Sequence, residues 1–133
     1  MIKISITTSR RTELVPVMSL IERALRDLPA WDGLLHIHSP HTTAGVTVNE
    51  QADPDVAADI EKVYARLIPW NADYAHAEGN SAAHIQASLV GTFSLVPVKG
   101  GRLALGTWQG IFFCEFDGPR RRELWLSPIK ESP

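Results

Sequence analysis

One cysteine, Cys114, is all the chain has. That excludes an intrachain disulfide framework and suits a reducing cytoplasm. Neither charge is in excess. Lys and Arg number 13 against 15 Asp and Glu, for a formal net charge of −2, so neither nucleic acid nor an anionic membrane is expected as partner. No apolar run approaches the ~18 residues that span a bilayer. The opening MIKISITTSR lacks the basic-then-apolar layout of a signal peptide. Also missing are a P-loop, a dinucleotide fingerprint and a nucleophile elbow, as well as internal repeats, low-complexity tracts and linkers. The 133 residues, 44% hydrophobic and 21% charged, describe one ordinary globular domain over 1–133.

Residues 1–8 (MIKISITT) are β-branched and partly alternating, which predicts a first strand. Pro16 stands where a helix begins. Val17, Leu20, Ile21, Ala24, Leu25 and Leu28 then share one helical face until Pro29 stops it. Residues 33–40 (GLLHIHSP) and 44–48 (AGVTV) read as strands around His41-Thr42-Thr43. Asp53-Pro54 is a capping residue followed by proline at the first helical position. Val56, Ile60, Val63, Tyr64 and Leu67 follow at helical spacing toward Pro69, a face expected to cover the core. Residues 70–80 form a long loop, and such loops inside compact domains tend to be functional or mobile. Ser81 can cap a short helix ending before Gly91. From there period two predicts four strands, 92–98, 102–105, 110–116 and 123–129, whose short connections imply a hairpin meander. The class is α+β, two or three helices beside an antiparallel sheet or sandwich.

Several polar residues are candidates for chemistry. His36 and His38 share one strand face. That permits metal binding, and it equally describes imidazoles on a half-exposed face opposite Leu35 and Ile37. His41 lies at the strand end, where site residues collect. Asn49 and Glu50 end the next strand, as turn residues or as functional ones. Glu78, between His76 and His84, can be a ligand, a base or the partner that orients a histidine. Gly118-Pro119-Arg120-Arg121-Arg122 is the only basic cluster, either solvated in its turn or an anion site. Lys99-Gly100-Gly101-Arg102 reads as a hairpin turn whose cations could also approach phosphate. Trp108 reads as an ordinary buried indole, with an aromatic platform beside Gln109 as the alternative. Cys114, inside IFFCEF, reads as core.

In order, HTTAGVTVNE, DPDV, HAEGNSAAHIQASLVG and GTWQGIFFCEFDGPRRR resemble the YjbQ-type family across nearly the whole chain. The resemblance implies a compact α+β domain with an antiparallel β-sandwich, assembled as a homotrimer. It also implies a weak secondary activity as a thiamine-phosphate synthase, joining a pyrimidine pyrophosphate to a thiazole phosphate with release of pyrophosphate. The family's recurring histidines match His41, His76 and His84, while His36 and His38 fall where the family varies. Asn49, Glu50, Glu78, Gly106, Thr107, Trp108 and Gln109 match its pattern as well.

On that resemblance, His41, His76 and His84 are expected to bind a divalent metal, zinc being the natural choice for three neutral imidazoles with one open position. Glu50 or Glu78, with Asn49, would act as base or orient a histidine. Arg120, Arg122 or Lys99 would hold a phosphate, across a subunit boundary or within one chain. The function expected on that resemblance is a metal-assisted transferase or phosphoester hydrolase acting on a phosphorylated small molecule; the alternative is a non-enzymatic trimeric module that binds a metal or a phosphorylated metabolite.

Overall fold

The computed structural model describes residues 1–132 and builds two antiparallel sheets and three helices. The strands are β1 (Ile2–Thr7), β2 (Glu13–Pro16), β3 (Gly33–His38), β4 (Ala44–Glu50), β5 (Phe93–Lys99), β6 (Arg102–Leu103), β7 (Gln109–Glu115) and β8 (Arg121–Lys130). The helices are α1 (Met18–Leu25), α2 (Pro54–Leu67) and α3 (Ser81–Val90). One sheet has the order β1-β8-β3-β5-β6 and the other β2-β7-β4.

Alternation along the strands explains the layering. Leu35, Ile37, Val96, Val98, Leu124 and Leu126 project from the larger sheet to meet Val46, Ile111 and Phe113 of the smaller one, with Ile21 and Leu25 of α1 joining the same core. The intervening residues of β7, Phe112 and Cys114, point the other way, together with Phe116 just beyond the strand. They pack with Leu14 against Ala83 and Ala87 of α3 and Ala57, Ile60 and Tyr64 of α2. β7 is therefore covered on both faces, and its run GIFFCE is buried at every position. The outer face of the larger sheet carries a ladder of rings instead. His36 stacks on Phe93 at 5.2 Å and on His38 at 5.8 Å, and His38 meets Trp125 at 5.7 Å.

Four expectations change. Residues 13–16 are an edge strand paired with β7, and α1 begins after it at Met18; proline is tolerated at a sheet edge, where no partner needs its missing N–H. The last four strands do not form a meander. β5 and β6 are a hairpin turned by Gly100 and Gly101 at φ +58° and +79°, values glycine adopts freely. β7 then crosses to the smaller sheet and β8 returns to pair with β1 and β3. α2 buries a narrower stripe than predicted, leaving Val63 and Leu67 exposed. Asp53 does cap α2, its Oδ1 accepting from Asp55 N at 2.9 Å, but α3 is capped by Asn80 in place of Ser81 and without a side-chain bond.

Candidate functional site

The loop between α2 and α3 is pinned at its start. Trp70 packs on the second core and lies 4.2 Å beneath the Arg11 guanidinium. The Tyr74 hydroxyl donates to Pro69 O at 2.6 Å. Gly79, at φ +80°, makes the turn that returns the chain to α3. His76 and His84 consequently meet edge to face with ring centroids 5.3 Å apart. They line a hollow of about 460 Å³ with Asp73, Tyr74 and Ser81. Glu78 is well exposed, its Oε2 at 3.9 Å from His76 Nε2, a long contact for a histidine-orienting bond.

Asn80 ties this hollow to the arginine turn. Its Nδ2 donates to Asp117 Oδ2 at 3.0 Å, and Arg120 Nη2 donates to the same oxygen at 2.9 Å. Asn80 Oδ1 is buried without a protein partner among the described residues. Arg120 itself is largely exposed.

His41 is not among the residues lining the hollow. Its Nε2 lies 2.9 Å from the Glu123 backbone N and 3.2 Å from the Glu123 carbonyl oxygen, so the ring accepts from the first when Nε2 is bare and donates to the second when Nε2 carries the proton. The ring stands edge-on to Phe113 at 6.2 Å. Burial, and then the nearby Arg122 cation, hold its pKa below the ordinary histidine value.

Arg122 is buried where a solvated turn residue was expected. It is 4% exposed and pairs with Glu115, which is fully buried. Nε donates to Glu115 Oε1 at 2.8 Å, and Nη2 reaches Glu115 Oε2 as well as Thr43 Oγ1 at 2.8 Å. Thr8 Oγ1 donates to the same carboxylate at 2.8 Å. Burial alone would push this carboxyl up. The Arg122 bond, the Asp117 backbone N–H and the Thr8 hydroxyl outweigh it and hold the pKa below the usual range. Sequence reasoning missed Glu115, although a lone acid inside an apolar strand signals a buried pair.

Asn49 and Glu50 lie elsewhere, opposite Gly110 and Gln109 on β7. Beside them Gly106–Gln109 forms a closed turn, with Gln109 Oε1 accepting Gly106 N–H at 2.8 Å and Trp108 O accepting Gln51 N–H at 3.0 Å. Trp108 is 63% exposed, not the buried indole expected, because the turn holds its backbone at the rim of the sheet. Lys99 is exposed at the β5–β6 hairpin. Cys114 is core, its thiol pushed up to about 12 by burial.

Two imidazoles with Asp73 nearby are the nitrogen and oxygen ligands zinc accepts. Among the described residues of one chain, however, no group of three or more such side chains is arranged around one point. Among the described residues no helix is long and apolar enough to cross a membrane.

Residues 2–131 match the family described as UPF0047 protein YjbQ-like. A UPF0047 protein of Methanocaldococcus jannaschii, MJ1081, is 50% identical over 96% of this chain and 92% of its own. YugU of Bacillus subtilis is 45% identical over 92% and 94%. Among solved structures, an uncharacterised yjbq/upf0047 family protein of Clostridium acetobutylicum superposes with a TM-score of 0.93 at 44% identity, covering 97% of this chain and 100% of that one.

Proposed function

The chain belongs to the UPF0047 YjbQ-like family, and from that premise we propose an enzyme acting on a phosphorylated small molecule bound in the His76–His84 hollow. The observation that carries this reading is the convergence of two imidazoles at 5.3 Å in an open surface hollow that Asp73 and Ser81 also line. Its named version is a thiamine-phosphate synthase-like transfer, in which thiazole nitrogen displaces pyrophosphate from the pyrimidine precursor. Such a reaction asks the protein to position the nucleophile and to neutralise the leaving group.

His76 and His84 supply hydrogen bonds, and a proton when needed, to the departing phosphate oxygens. They are also the residues that would hold a divalent ion such as zinc, whose chemistry is to polarise a phosphoryl oxygen. Arg120 is the arginine that can meet an anion from solvent: its Nε and Nη2 donate to Asp117 O and Oδ2, yet its side chain is 48% exposed, and Asp117 also binds Asn80, the residue before Ser81 of the hollow. Arg122 spends its Nε and Nη2 donors on Glu115 and Thr43 and holds the two sheets together. Lys99 belongs to a hairpin apart from the hollow. The proposal also takes the protein to be a cytoplasmic homotrimer, consistent with Ile85 and Leu89 exposed on α3.

Incubating purified, metal-loaded protein with the two thiamine precursors and a phosphoester panel tests the enzyme reading. Absence of product from all of them would sink it and leave the trimeric binding module.

A further inference from the structure

We infer that His36 and His38 chelate a late first-row divalent ion (copper, nickel or zinc) on the outer face of the larger sheet. α2 and α3 cover the smaller sheet instead, so this site lies across the sandwich from the His76–His84 hollow. It does not rest on the function proposed there.

The strand pattern puts both imidazoles on one side. β3 is the central strand of its sheet, bonded to β8 and β5, and it buries Leu35 and Ile37 completely. Period two then turns His36 and His38 outward as nearest neighbours, their Cα atoms about 7 Å apart. The rings lie nearly parallel, at 19°, with centroids 5.8 Å apart. Two imidazoles on one ion, at metal–nitrogen bonds of about 2 Å and a tetrahedral angle, hold their centroids about 5 Å apart. Side-chain rotation alone closes that difference, with no movement of the strand.

The surroundings suit a ligand pair. Phe93 stacks on His36 at 5.2 Å and Trp125 tilts against His38 at 5.7 Å. Each half-buried ring thus has an aromatic support, which lowers the freedom lost on chelation. His41 Nε2 is engaged by the Glu123 backbone, whereas no protein hydrogen bond occupies a nitrogen of His36 or His38 among the described residues. Glu123 Oε1 accepts from Trp125 Nε1 at 3.3 Å, and the Lys3 ammonium sits 4.7 Å above the Trp125 ring. These opposite charges offset one another, so a cation meets no net repulsion. Neutral imidazole is a ligand that copper, nickel and zinc share, and by the usual affinity order copper is held most tightly. Water fills the remaining coordination positions, and the ion enters from solvent.

Copper(II) is the probe, added to His76→Ala/His84→Ala so that the hollow takes no part. His41 is then the only other imidazole in the chain. One equivalent should give an electron paramagnetic resonance spectrum with two coordinated imidazoles and should quench the neighbouring Trp125. Adding either His36→Gln or His38→Gln should abolish both signals, because a chelate needs both rings. Trp125→Phe should keep the spectrum and lose most of the quenching. Copper bound through a single imidazole, or a two-imidazole spectrum that survives either glutamine substitution, would overturn the inference. In the otherwise native chain, His36→Gln/His38→Gln should leave phosphate binding at the hollow unchanged, so the two readings fail separately.

Discussion

Arg122 and Glu115 meet as a buried ion pair at the end of the sandwich where β7 passes into the arginine turn, with Thr8 and Thr43 filling the remaining hydrogen-bond sites. The pair joins the two sheets, because Arg122 belongs to β8 and Glu115 to β7.

Removing one partner strands the other charge. Arg122→Met is expected to cost about 3–5 kcal/mol, the usual penalty for an uncompensated buried ion. Urea denaturation measures it. A loss no larger than that of a surface arginine would contradict the burial.

The same pair sets an acid limit on stability. Glu115 has a carboxyl pKa held below the ordinary 4.5 in the fold. The unfolded chain therefore binds its proton more readily. Its contribution is fully present above about pH 4.5 and is lost as pH falls through the folded pKa. Stability profiles between neutral pH and the acid limit should show a shallower acid fall in Glu115→Gln than in the native chain, from a lower starting stability.

His41 acts in the same direction at higher pH. Its folded pKa lies below the ordinary 6.5, so the stability it contributes is present above pH 6.5 and declines as pH drops toward the folded value. His41→Asn should remove this slope. A profile as steep in His41→Asn as in the native chain would contradict it.

The Cys114 thiol, with its pKa pushed up to about 12, is expected to resist a water-soluble disulfide reagent in the native protein and to react in full after unfolding. Reaction at the rate of a free thiol under native conditions would place the residue outside the core.

His76→Ala and His84→Ala should each weaken binding of zinc or inorganic phosphate about tenfold or more, as expected for losing a hydrogen bond to a charged group worth roughly 1.5–3 kcal/mol, without lowering thermal stability, since neither ring belongs to a hydrophobic core. Calorimetric titration reads the first and a melting curve the second. Unchanged affinity in both variants would remove the hollow from consideration.

Much of the fold is legible in the sequence. The helical spacing around Ile21 and Leu25, the Asp53-Pro54 start of α2 and the glycine pair at 100–101 all act locally, through periodicity, capping and backbone freedom. The run IFFCEF announces burial on both faces. Trp108 misleads because exposure depends on whether any element packs over the Gly106–Gln109 turn, and none does. Of the candidate site, His76 and His84 converge through a short turn within one loop, whereas His41 takes its partner from Glu123, 82 residues away.

By itself the sequence determined the family, the α+β class and most element positions, all of which follow from ordered motifs or from residues close along the chain. Only the tertiary structure decided that β7 and β8 part into different sheets, that Arg122 turns inward to Glu115, and that Asn49 and Glu50 lie about 20 Å along the sheet from the His41 end. The physical reason is common to all three. Period-two alternation states which face of a strand is apolar but not which strand supplies its hydrogen bonds, and a charge shows its partner only when distant segments close around it.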